Sequence, residues 1–121
     1  MIEAARAAGE SPHWVARHDE FVLCMDGQVT VELHKPSEPP RIAADRDGGH
    51  RLADLPAGRR MGRIVLGRGH MALLPKLSAY RLRASAPGVA LIQTIEGPET
   101  IFRWNEICQT TPTPRASEAQ P

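Results

Sequence analysis

An all-β domain, a small barrel or sandwich, is the fold class this sequence predicts, and three observations predict it. Short runs rich in Val, Ile and Leu recur at close spacing and are divided by Gly, Pro and Asp turn signals. Aromatic residues make up only 4% of the 121-residue chain, so the core rests on aliphatic side chains, the β-branched of which suit a pleated sheet. An Asp26-Gly27 pair joins two apolar runs, which is the local signature of a tight hairpin. The length accommodates one domain.

In chain order, residues 2–8 are Ala-rich and end at Gly9, so the first eleven residues are expected to form an arm, frayed or briefly helical. Glu20 to Leu33 is the hairpin. Its second arm alternates Val29, Val31 and Leu33 with Thr30 and Glu32, as a half-buried strand does. Its first arm is apolar on both faces, since Phe21, Leu23 and Met25 oppose Val22 and Cys24. A strand buried on both sides needs an outer cover, from the chain's own termini or from another subunit.

Residues 34–62 are rich in Pro, Gly and charge without a sustained period, and predict a long irregular connection, an interface element or a mobile loop. Strand-like runs follow at 63–66, 71–74, 79–84 and 89–95. Over 99–108, Ile101, Trp104, Ile107 and Cys108 stand at helical spacing, which predicts a short packing helix. The remaining Pro, Thr and Ser tail, 110–121, is expected to be disordered, leaving a domain over 12–109.

Fifteen Lys and Arg against fourteen Asp and Glu supply no drive toward nucleic acid or an anionic membrane. Residues 1–9 lack the apolar centre of a secretory signal, and no run approaches the length of a membrane span, so a soluble, cytoplasmic protein is expected. Cys24 and Cys108 read as two reduced thiols.

Five histidines with acidic neighbours invite a metal reading. His13, His18 and Glu20 lie nearest one another, and a two-residue step on a strand puts His18 and Glu20 on one face. His70 sits in a turn, while His34 and His50 border or occupy the polar loop. In AYRLRAS, Tyr80, Leu82 and Ala84 share the inward face and Arg81 and Arg83 the outward one. A buried Tyr80 hydroxyl needs a partner, for which His13 and Glu20 are the candidates.

The segment PHWVARHDEFVLCMDGQV (12–29) resembles the first motif of the cupins: His-x-His, three or four residues, Glu, six residues, Gly. Glu20 and Gly27 match, His13 takes the first histidine position, and Val15 stands at the second. LGRGHMALLPKLSAY (66–80) resembles the second motif, with Leu77 in place of its Gly and Tyr80 in place of its last histidine. The resemblance implies a jelly-roll-like barrel in which two of the four metal ligands, His13 and Glu20, survive. Two are too few for a stable iron or zinc site unless His18 turns inward for Val15. A polar network in the former metal pocket is the expected replacement.

Residues 12–109 as a whole are similar to the small subunits of two-component hydroquinone dioxygenases, through PHWVARHDEFVLCMDGQVTVELHKP, PAGRRMG, RGHMALLP, PGVALIQTIEG and RWNEIC. That likeness implies a non-catalytic subunit that binds no cofactor itself. Its larger cupin partner would hold Fe(II) on two histidines and a carboxylate, and the complex would cleave hydroquinone with O2. His13, Trp14, His18, Glu20 and Tyr80 are the pocket candidates, with Trp14 and Tyr80 as one wall; none is assigned as catalytic or as a metal ligand. One departure is the short stretch before Pro12, where cupin barrels usually have strands. Two alternatives stay open: a stand-alone metal-dependent dioxygenase or isomerase using His13, His18 and Glu20, and a metal-free ligand-binding cupin.

Overall fold

One strand organises the molecule. In the computed structural model, which describes residues 1–42, 47–97 and 103–106, β8 (Ala79–Gln93) is fifteen residues long and runs through a continuous nine-stranded sheet that bends along it into two sections, the first and second sheets. Along its first half it pairs on one side with β4 (Val29–Pro36) and touches β2 (His13–Ala16) on the other. Its second half pairs with β3 (Glu20–Asp26), and β1 (Ile2–Glu10) runs along its opposite edge. β5 (Gly49–Leu52) extends the first sheet beyond β2, and β6 (Gly58–Leu66) extends it beyond β4. β7 (Met71–Leu74) and the two-residue β9 (Asn105–Glu106) flank the second sheet at β3 and β1. Every ladder is antiparallel, and the result is a small cupin-type barrel.

The core lies between the sheets. Val29, Val31, Tyr80 and Leu82 point in from the first, while Ala5, Ala7, Val22, Cys24, Ala90 and Ile92 point in from the second. The inward set Tyr80, Leu82 and Ala84 is the one that alternation predicts. Cys24 is buried and free; Cys108 lies outside the described residues.

Five local expectations are corrected. Residues 2–10 form a strand, because pairing with β8 along nearly their whole length outweighs the helix propensity of alanine. This strand also supplies the barrel edge that seemed to be missing before Pro12. The Asp26-Gly27 turn does not close a hairpin, since β3 and β4 do not pair with each other. They lie end to end along β8, and Gly27, at φ +79°, carries the chain from one sheet to the other.

Residues 34–62 are less irregular than their composition suggests, since they contain β5 and the ends of β4 and β6. β6 is exposed along almost all its length, so it carries no period-2 apolar signal. The Ala86-Pro87-Gly88 sequence, which reads as a turn, lies within β8 where that strand bends between sheets. Finally, Arg103 and Trp104 form a bend and Asn105–Glu106 a strand on β1, so the described part of the stretch 99–108 is not helical. Ile101, Ile107 and the tail at 110–121 lie outside the described residues.

Candidate functional site

At the barrel centre a buried carboxylate is fully engaged. Glu20 opens β3, and its Oε1 accepts a hydrogen bond of 2.8 Å from the Tyr80 hydroxyl. Its Oε2 accepts from Arg103 Nη1 at 3.0 Å and from the Thr94 hydroxyl. Arg103 Nη1 also contacts the Tyr80 oxygen, and the guanidinium carbon lies 4.8 Å from the centre of the Trp14 ring. Arg103 and Glu20 are each 0% exposed. Burial pushes the Tyr80 hydroxyl well above its ordinary pKa of 10.0, so it stays a phenol and a donor. A Cβ at Gly49 would come within 2.5 Å of the guanidinium, which explains the absence of a side chain there.

The strands dictate this convergence. Trp14 of β2 and Leu33 of β4 both pair with Tyr80, so all three share the inward parity. Residues one step away face outward. His13 is therefore on the outer face, apart from Glu20, and its pKa is lowered by burial and then by Arg81. With three intervening residues rather than four, the first cupin motif places its two histidines at Trp14 and Ala16. Of the four ligand positions only Glu20 then keeps a donor, and His13 is not one of the survivors.

The other histidines have separate tasks. His18 Nε2 accepts from the Gly48 amide at 3.2 Å, which ties the loop before β5 to the bend between β2 and β3. His34 Nε2 lies 2.8 Å from the Pro56 carbonyl, and His70 Nδ1 accepts from the Gly67 amide at 3.0 Å, closing its turn. His50 is buried in β5. Among the described residues no three His, Cys, Asp or Glu side chains gather as a metal set. These residues do not fit a metal ion, because the one retained carboxylate is already saturated by Arg103, Tyr80 and Thr94. Leu77, which stands at the motif's Gly position, keeps the left-handed backbone of a glycine at φ +63°.

Thus, of the five pocket candidates, Trp14, Glu20 and Tyr80 meet in the barrel, whereas His13 and His18 lie outside it. Arg103 and Thr94 complete the cluster and were not singled out by sequence. A lone arginine between Phe102 and Trp104 was the available signal for Arg103.

The outer face of the first sheet carries a second feature. Arg81 and Arg83 of β8, Arg60 and Arg63 of β6, and His13 border a groove of about 510 Å³ that the exposed Leu55 also lines. Glu32 lies within it, 2.7 Å from Arg81 Nη2 and 2.8 Å from Arg83 Nη1. Burial works to raise the Glu32 pKa, and the hydrogen bonds from Arg83 and Arg81 outweigh it, holding the carboxyl below its usual 4.5. A carboxylate with a depressed folded-state pKa stabilises the fold above its unfolded pKa and loses that contribution as pH falls through the folded value. Glu32→Gln is therefore expected to cost at most about 1 kcal/mol at neutral pH. Urea unfolding should show that difference fading below pH 4.5; a difference that persists unchanged in acid would contradict the assignment.

No family model and no curated protein matches the chain. Solved structures do. The chain is 48% identical to hydroquinone 1,2-dioxygenase PnpCD, solved with Cd2+ and 4-hydroxybenzonitrile, over 83% of this chain and 60% of that one, with a TM-score of 0.75. It is 51% identical to hydroquinone 1,2-dioxygenase from Sphingomonas sp. TTNP3, solved with 4-hydroxybenzoate, over 90% of this chain and 66% of that one, with a TM-score of 0.77. The matched chains are thus longer than this one by little more than a third, and this chain spans under two thirds of their length. A Neisseria meningitidis protein, 18% identical with a TM-score of 0.50, shares the fold.

Proposed function

Because this chain belongs to the cupin superfamily and is 48 to 51% identical to hydroquinone 1,2-dioxygenase chains, we propose that it is the non-catalytic small subunit of a heteromeric, Fe(II)-dependent dioxygenase that opens hydroquinone-type rings. The observation that carries this reading is Arg103. A guanidinium pairs with Glu20 and Tyr80 at the place where cupins gather metal ligands, so this barrel supplies its own cation. The iron would then be held by a larger cupin partner, where it would supply the activation of O2 that ring cleavage needs.

The outer face of the second sheet supports a partner. Met25 on β3 and Met71 and Leu73 on β7 are 45%, 60% and 44% exposed, with the half-buried Phe21 and Leu23 between them. This is the outer side of the strand whose two apolar faces call for a cover, and apolar patches of this kind mark interfaces. No helix among the described residues is long and apolar enough to cross a membrane, and a cytoplasmic location suits the proposed reaction.

Co-expression with a large subunit of the two-component family tests the proposal. The expected result is a stable complex that consumes O2 with hydroquinone, while this chain purified alone holds no stoichiometric iron, zinc, manganese or nickel. Stoichiometric metal on the lone chain would overturn it.

A further inference from the structure

We propose that the arginine-lined groove on the first sheet is a docking site for an acidic, extended segment of the partner subunit, an inference that rests on the partner reading above. The chain as a whole carries a net charge of only +1, yet four of its arginines line this one groove. Arg81 and Arg83 are matched internally by Glu32 and Glu10. Arg60 and Arg63 have no carboxylate partner among the described residues, and both are exposed. Strand parity aims all four the same way: Arg81 and Arg63 flank Glu32 in register, and Arg60 stands opposite His34 past the bulge.

Two further properties point to a segment of chain. β6 pairs only with β4, so among the described residues its second edge is open to backbone hydrogen bonding. The exposed Leu55 gives the groove an apolar element beside the charges, which suits an acidic segment that also carries aliphatic residues. Guanidinium groups bind carboxylates through paired, directional hydrogen bonds, so two unmatched arginines on an open edge select for two carboxylates on the incoming strand.

The test measures association of this chain with the large subunit at low and high salt. The parent chain should bind fast at low salt and more slowly as salt rises. Arg60→Glu/Arg63→Glu should slow association by at least about tenfold at low salt and flatten its salt dependence. Arg68→Glu, a charge reversal in the turn before β7, should leave both nearly unchanged. Arg60→Gln/Arg63→Gln removes charge without introducing repulsion and should show a smaller loss in the same direction, which guards against a folding defect in the reversed variant. Parent-like association by both double variants would overturn the groove while leaving the partner reading intact. Loss of 4-hydroxybenzoate binding with unchanged subunit association would also overturn it, in favour of a small-carboxylate site. No complex with the parent chain would overturn both proposals.

Discussion

Arg103→Met is expected to destabilise the barrel by about 3–5 kcal/mol, because it leaves the Glu20 carboxylate charged, buried and short of the cation it is paired with. For a domain of this size that is a fall of roughly 15 °C or more in Tm. The loss is not the worth of the ion pair, since two buried ions attract each other strongly but also cost much to desolvate. Replacing both partners by apolar residues, Glu20→Leu with Arg103→Met, should therefore recover part of the stability lost in the single variant. Full recovery is not expected, because Tyr80 and Thr94 would each lose the oxygen they donate to. Thermal unfolding of the parent and the two variants decides the matter: if Arg103→Met melts within a few degrees of the parent, the guanidinium is not the cation that holds this centre together.

The second large effect is at the corner where β3 hands over to β4. Gly27 passes across Gly88 of β8, and a Cβ on Gly88 would stand 2.3 Å from the Asp26 carbonyl oxygen. That neighbour is backbone in a paired strand and cannot swing aside. Gly88→Val should cost about 3 kcal/mol by overpacking, and Gly27→Val should also destabilise, since Gly27 sits at φ +79° with Gly88 Cα 3.2 Å from its would-be Cβ. The cause differs from that of a hairpin turn: what fails is the crossing of two backbones between sheets. Gly69→Ala is a useful comparison, since Gly69 is also at positive φ but has open space around it. If Gly88→Val cost no more than Gly69→Ala, crowding at the crossing would be ruled out.

How much of this was legible follows from what each residue's signal depends on. Alternation in β4 and in the first half of β8 fixed which side chains face inward, because one face is dry and the other wet. The cupin motif located Glu20 and Tyr80, and their hydrogen bond follows from two polar groups buried together. His13 was misassigned because the motif tolerates three or four intervening residues, and a one-residue difference turns a side chain to the opposite face. Only pairing with Tyr80 resolves that choice. β1 was missed because an Ala-rich segment takes its conformation from a partner some eighty residues away. Arg103 was missed because a charged residue inside a barrel has no sequence period; it is placed by Glu20, not by its neighbours.

A consequence for biosynthesis lies in the position of β8. β1 and β3 take their longest ladders from a strand that begins at Ala79, and β4, whose longer ladder is with β6, takes its second one there, so on a ribosome the first two thirds of the chain emerge without a strand that all three require. Ile2 must wait for Gln93 before it can pair. Such long-range closure makes folding slow, and leaves edges such as β3, apolar on both faces, open to other chains in the interval. Synthesis alongside its partner, or under a chaperone, is the circumstance in which this sequence reaches its barrel with least aggregation.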